Sequence, residues 1–264
     1  MRAPKAPNPG RSFAGTVTAL GTEVTGVTEG DEVYGTCDGS FAEYASVDPG
    51  RLAAKPANLT FEQAAAVPVS ALTALQAVRD HARVQAGEEV LILGASGGVG
   101  TFAVQIAKAH GAQATGVCSA AKADLVRSLG ADRVFDYARE DIGDGAHRYD
   151  AILDIGGNRR LSHLRRALAP RGRLVIVGGE TDGRWLGGSD RQLRALLLSP
   201  FVRQKLGTFV ASENSDDLTV LRGLLESEAV VPAVERTCPL SETAAAIRQV
   251  QDGHARGKIV ITVS

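Results

Sequence analysis

The stretch from Val90 to Ala112, VLILGASGGVGTFAVQIAKAHGA, decides the fold. Val90 to Leu93 is apolar throughout, the pattern of a strand covered on both faces. Gly94 to Gly100 is a glycine-rich turn. After it, Phe102, Ala103, Ile106 and Ala107 recur at helical spacing up to Ala109. Gly94, Gly97 and Gly100 stand at G-x-x-G-x-x-G spacing, close to the dinucleotide fingerprint. Glycines there permit a tight turn, let backbone N–H groups approach a pyrophosphate, and allow the helix to pack closely. A P-loop is excluded, because Gly100 is followed by Thr101 and not by a Lys-Ser/Thr pair.

Working outward, apolar strands and short helices alternate from Gly87 onward. EVLILG, QATGVC, RVFDY, YDAILDIG and GRLVIVGG read as strands; FAVQIAKAHG, KADLVRSLG and LSHLRRALAP read as helices. That order predicts a doubly wound α/β domain with a parallel sheet. Residues 11 to 56 read instead as antiparallel strands separated by Gly and Asp turns. One of them is SFAEYASV (40 to 47), with Tyr44 expected as a buried strand tyrosine. From Thr60 to His81 the chain is alanine-rich and helical, with Thr60 as a cap and Pro68 dividing two pieces. After KLGTFVAS (205 to 212) come a helix around 216 to 227, a β-like VVPAVE, a helix over 241 to 252 and a final strand KIVITV, expected to return to the first region.

Composition narrows the partners. A formal net charge of −1, with Lys and Arg spread along the chain, leaves no overall electrostatic footprint for nucleic acid or an anionic membrane. No run approaches the roughly 18 apolar residues of a membrane span, and no targeting signal is visible at the N-terminus. Cys37, Cys118 and Cys238 are odd in number and far apart, which argues against a disulfide framework and points to a reducing, cytoplasmic setting. Small-molecule partners are therefore expected.

The choice of cofactor is written at the end of the second strand of the α/β domain. An acid about 20 residues past the glycine turn would hold the ribose diol of an NADH-type ligand. Here Cys118, Ser119 and Lys122 occupy that area, and the first acid in the following chain is Asp124. A hydroxyl and a cation suit a 2′-phosphate, so NADPH is expected. Cys118 reads as a packed strand-end residue.

GRSFAGTVTALGTEVTGVTEGDEVYG, GSFAEYASV, LTFEQAAAVPVSALTALQAV, VLILGASGGVGTFAVQIAKAHGA and DGHARGKIVITV together resemble the zinc-less quinone oxidoreductase branch of the medium-chain dehydrogenase/reductase superfamily, over nearly the whole chain. The resemblance implies a doubly wound Rossmann domain inserted in a partial GroES-like, β-rich catalytic domain. Its boundaries fall at 1–68, 69–212 and 213–264, the last segment returning to the catalytic domain. It implies NADPH in the cleft, an electron-poor quinone or α,β-unsaturated carbonyl as acceptor, and a homodimer paired through KLGTFVAS. It implies Thr73 of LTAL beside the cofactor, the backbone of Ser96, Gly97, Gly98 and Val99 at the pyrophosphate, Ser119 and Lys122 at the 2′-phosphate, and Tyr137 at the adenosine end. Gly178, Gly179 and the Phe209 backbone would approach the nicotinamide side.

No catalytic proton donor is assigned; Tyr44 qualifies by chemical type alone, and Trp185 is placed near the cleft mouth or in packing. Zinc relatives of the same superfamily carry Gly-His-Glu where this chain has Gly10, Arg11 and Ser12. The histidines at 81, 110, 147, 163 and 254 pair with no cysteine at a metal-site spacing, so no metal is expected. Family members also begin with further strands bearing a GVNPxD-like segment ahead of the equivalent of PGRSFAG. The alternative expectation is accordingly a truncated NADPH-binding protein with little turnover, acting as a sensor, a structural protein or a partner-completed subunit.

Overall fold

In the computed structural model, which describes residues 8–143, 147–156, 159–177, 190–253 and 255–263, the antiparallel strands at the front of the chain pair around Tyr34. Strands β1 (Ser12–Thr16), β2 (Glu32–Thr36) and β3 (Leu52–Ala54) form one sheet in that order. Tyr34 on β2 is fully buried and lies opposite Ala14 and Ala53, small partners that leave room for its ring. The segment 40 to 47 is not a strand, contrary to expectation, and Tyr44 is 76% exposed. Alternation alone does not make a strand; a neighbour must supply the ladder bonds, and among the described residues none runs beside it.

Helix α1 (Phe61–Ala65) starts at Thr60. The Thr60 hydroxyl accepts from the Gln63 N–H while the Gln63 side chain accepts from the Thr60 N–H, a reciprocal capping box. Helix α2 (Pro68–Gln76) opens on Pro68, where a missing N–H costs nothing.

The middle of the chain, Thr73–Ala211, is one compact unit. It alternates β4 (Glu89–Leu93), α3 (Gly98–Ala109), β5 (Gln113–Cys118), α4 (Ala123–Ser128), β6 (Arg133–Asp136), β7 (Tyr149–Asp154), α5 (Leu161–Ala167), β8 (Leu168–Ile176), α6 (Asp190–Leu198) and β9 (Lys205–Thr208). The six strands are all parallel, in the order β6-β5-β4-β7-β8-β9. This is the doubly wound order in which the chain first builds one half-sheet and then crosses to build the other. Leu91, Leu93, Val117, Ile152, Leu174 and Ile176 are among the sheet residues of a buried apolar core. Helix α3 is buried over Gly100 to Ala107, and its two polar residues there are internally satisfied. The Thr101 hydroxyl donates to the Gly98 carbonyl, and the Gln105 amide donates to the Thr101 carbonyl.

A second compact unit combines Met1–Leu72 with Ser212–Ser264. The returning segment carries α7 (Ser215–Glu226), β10 (Val234–Pro239), α8 (Thr243–Gln251) and β11 (Lys258–Thr262), with β10 and β11 paired in parallel. Asn214 caps α7 by accepting from the Asp217 N–H, and Leu218, Leu221 and Leu225 form its buried stripe. Two long-range ties join the chain's front to its tail. The Tyr34 hydroxyl donates to the Leu218 carbonyl at 2.6 Å, and Glu213 accepts from both Arg11, at 2.6 Å, and Arg51.

Candidate functional site

The site is built where the parallel sheet reverses direction. β4 has β5 on one side and β7 on the other, so the loops leaving β4 and β7 diverge and open a crevice beyond their carboxyl ends. Gly94 leaves β4 with φ of +79°, which favours glycine. A Cβ there would meet the Gly156 nitrogen, just past β7, at 2.9 Å. The turn is stapled on both sides. The Gly94 and Ala95 N–H groups donate to the Val117 carbonyl, and those of Ile155 and Gly156 donate to the Leu93 carbonyl.

Gly97 caps α3 in extended conformation with no side-chain hydrogen bond. The first amides of a helix have no acceptor within it, so those of Gly98 and Val99 stand at the positive end of a 12-residue helix whose cap residue supplies no side-chain hydrogen bond. Ser96 is buried at 7% exposure, while Gly97, Gly98 and Val99 are half-buried. The donors and the lack of a Cβ at Gly97 fit an anionic pyrophosphate, and a nicotinamide dinucleotide therefore fits this turn.

Ser119 and Lys122 follow β5 directly, at the two ends of a short 3₁₀ turn over Ala120–Lys122, and both are half-buried. Tyr137, past the end of β6, donates its N–H to the Cys118 carbonyl at 3.2 Å, which brings it beside Ser119. Its side chain is 59% exposed, so the ring is open to solvent. These three residues and the glycine turn share the carboxyl end of the adjacent strands β4, β5 and β6. Thr73 lies half-buried in α2. Phe209 follows β9, and its ring stacks on His81 with centroids 4.1 Å apart. Gly178, Gly179, Trp185 and His254 lie outside the described residues.

Two acids near this edge escaped the sequence reading. Asp136 ends β6 directly opposite Cys118, although it is 18 positions away in the chain. Burial pushes the Cys118 thiol up, and Asp136 adds to that shift, so Cys118 is an inert packed residue. Asp136 spends its carboxylate on its own turn, accepting from the Ala138 N–H at 3.1 Å. Asp154, at the end of β7, is fully buried with the Arg191 guanidinium 3.0 Å away. Only strand register, or the return of α6, brings these groups to the crevice; no local motif announces them.

Zinc does not fit. Among the described residues no three His, Cys, Asp or Glu side chains converge as a metal site would require. His81 is stacked on Phe209, the His110 ring bonds the Ile106 carbonyl, and His163 lies 2.8 Å from Asp141. Arg11 pairs with Glu213 and Asp38, and the Ser12 hydroxyl accepts from the Val69 N–H, so both residues are structural. The three cysteines are free and separately buried.

Residues 1–57 match the family described as the alcohol dehydrogenase GroES-like domain, and residues 129–261 match the one described as zinc-binding dehydrogenase. The chain is 35% identical over 278 residues to the mitochondrial NAD(P)H oxidoreductase RTN4IP1 of Mus musculus, covering 96% of this chain and 70% of that protein. It is 34% identical over 267 residues to the chloroplastic NADPH-dependent alkenal/one oxidoreductase of Arabidopsis thaliana, covering 96% of this chain and 63% of that one. The quinone oxidoreductase structure from Coxiella burnetii superposes with a TM-score of 0.87 at 29% identity, over 98% of this chain and 81% of its own. The chain belongs to the medium-chain dehydrogenase/reductase superfamily, in its quinone oxidoreductase-like branch. It is an oxidoreductase that works with a nicotinamide cofactor.

Proposed function

We propose that the protein is an NADPH-dependent reductase of quinones and α,β-unsaturated carbonyls. The observation that carries the reading is the glycine-capped start of α3, without a side-chain cap, at the switch point of the sheet, with a hydroxyl and an ammonium after β5 where an NADH-type site would hold an acid. The names of the Arabidopsis and Coxiella relatives supply the acceptor classes. When bound, the nicotinamide supplies a hydride for an electron-poor acceptor.

The chain's own residues bind and orient. The Ser96, Gly97, Gly98 and Val99 backbone takes the pyrophosphate, and Ser119 and Lys122 hold the 2′-phosphate. Tyr137 flanks the adenosine, while Thr73, Gly178, Gly179 and the Phe209 backbone line the nicotinamide end. The active form is a homodimer joined along β9. Phe201 and Val210, which bracket that edge strand, are 85% and 96% exposed, and a free strand edge with apolar flanks favours pairing with another copy. Three free cysteines suit the reducing cytoplasm, and among the described residues no helix is long and apolar enough to cross a membrane.

Steady-state NADPH oxidation with 9,10-phenanthrenequinone and a simple enone is the test. Turnover of either acceptor, abolished when NADPH is omitted, supports the reading. Tight NADPH binding with no turnover of any quinone or enone refutes it.

A further inference from the structure

Arg148, Arg165, Arg166 and Arg203 line one cleft of about 500 Å³ in the α/β unit, together with Ser162 and Gln204. Arg148 immediately precedes β7, Arg165 and Arg166 end α5, and Arg203 stands two residues before β9. The cleft therefore sits at the amino ends of strands whose carboxyl ends carry the cofactor crevice. At about 3.3 Å per residue, the six residues of β7 separate the two by about 20 Å.

None of the four arginines forms an ion pair with a described carboxylate. Their hydrogen bonds go to neutral groups. Arg148 donates to the carbonyls of Arg166 and Leu168, Arg165 to the Gln204 amide oxygen at 3.0 Å, and Arg166 to His163 Nδ1 at 3.1 Å. Arg203 is exposed and makes no hydrogen bond among the described residues. Asp141 feels Arg166, but the His163 ring stands 2.8 Å from its carboxylate.

Arginine at the end of a helix complements the negative pole there, which accounts for Arg165 and Arg166. Arg148 is held at the same helix end by the Arg166 and Leu168 carbonyls, whereas Arg203 comes from another element and has no such reason to face the cleft. Arg165 and Gln204 lock each other, since the Gln204 amide also donates to the Arg165 carbonyl at 2.9 Å. That leaves four arginines lining one concavity, one of them held in place by Gln204, and guanidinium pairs bidentately with phosphate.

We infer that this cleft is a binding site for a small molecule carrying two or more phosphate groups, distinct from the cofactor site. Four arginines offer more bidentate forks than the free oxygens of one phosphate can pair. A nucleic acid or a bilayer would need a basic surface extending well beyond the cleft, and the chain's net charge is −1.

Calorimetric titration of the full chain with inorganic tripolyphosphate, with and without saturating NADPH, tests the site. The expected result is one tripolyphosphate per chain, with affinity unaffected by NADPH and orthophosphate at least about tenfold weaker. Arg203→Gln weakens binding about tenfold with the melting temperature unchanged, and the Arg165→Gln, Arg203→Gln pair weakens it about a hundredfold, while NADPH affinity stays unchanged in both. The inference is overturned by no binding, by equal affinity in the double variant, or by displacement with NADPH, which would put the anion at the glycine turn. It is equally overturned if a 20-nucleotide RNA or anionic vesicles bind through these arginines more tightly than tripolyphosphate does.

Discussion

Gly100 lies against Gly94 so closely that a Cβ on Gly100 would overlap the Gly94 carbonyl oxygen and crowd the Ala95 backbone. Both obstacles are backbone in a turn stapled to β5 and β7, so neither can give way cheaply. Gly97, in contrast, has φ of −85° and room for a methyl at 3.4 Å from the nearest atom. Gly100→Ala is expected to destabilise the protein by about 1–3 kcal/mol, the range of forced overpacking. Gly97→Ala stays within about 1 kcal/mol of the parent in stability, because Ala adopts that conformation, yet weakens cofactor binding through its methyl in front of the α3 amides. Thermal melts and NADPH titration of the two variants separate the roles; comparable loss of both properties in both variants contradicts the assignment.

Lys122→Ala should weaken NADPH at least about tenfold, since a charge-assisted hydrogen bond contributes roughly 1.5–3 kcal/mol. NADH, which lacks the 2′-phosphate, should bind the parent and the variant alike. Fluorescence titration with both cofactors reads this directly. Parallel weakening of the two would remove Lys122 from the 2′-phosphate.

Glu213 gives a pH signature. Burial pushes its carboxyl up, but hydrogen bonds from Arg11, Arg51 and Thr36 outweigh that effect and hold it below the usual carboxylate range. A folded-state value below the unfolded one, about 4.3, means the stabilisation is complete above that pH. It is lost as pH falls through the folded value. With Arg11 half exposed, Glu213→Gln should cost about 1–2 kcal/mol at pH 7. Denaturant unfolding from pH 7 to pH 3 should show parent and variant converging at the acid end; a constant gap would mean the loss is one of packing.

The β9 edge can be tested by charge. Val210→Glu combined with Phe201→Ser should convert the proposed homodimer to a monomer in light scattering at micromolar concentration, without loss of helix signal. An unmodified chain that is already monomeric at high concentration would dispose of the dimer.

The strand, turn and helix of Val90 to Ala109 were legible because every constraint on them is local: apolar run, glycine spacing, helical periodicity. Thr60 and Pro68 were legible for the same reason, as caps act over three or four residues. The segment 40 to 47 was misread because its alternation satisfies a strand pattern while its partner, the other half of any strand, leaves no mark in it. Asp136 beside Cys118, and Asp154 beside Arg191, depend on register across strands or on a helix 37 positions later. The arginine cleft is of this kind too, assembled from residues that look like scattered solvated charges along the chain.

The hydrogen bond from Tyr34 to the Leu218 carbonyl spans 184 residues, and it sets an order of events during synthesis. At about 5–20 residues per second, the tyrosine leaves the ribosome roughly 10–40 s before its acceptor does. Throughout that delay the whole of Thr73–Ala211 is made and has its full complement of parallel strands, so it can collapse first. The front sheet must wait with Tyr34 uncovered until α7 arrives. The newborn chain is thus a finished middle trailing an unfinished beginning, and that beginning is where a holdase would bind and where a protease would cut.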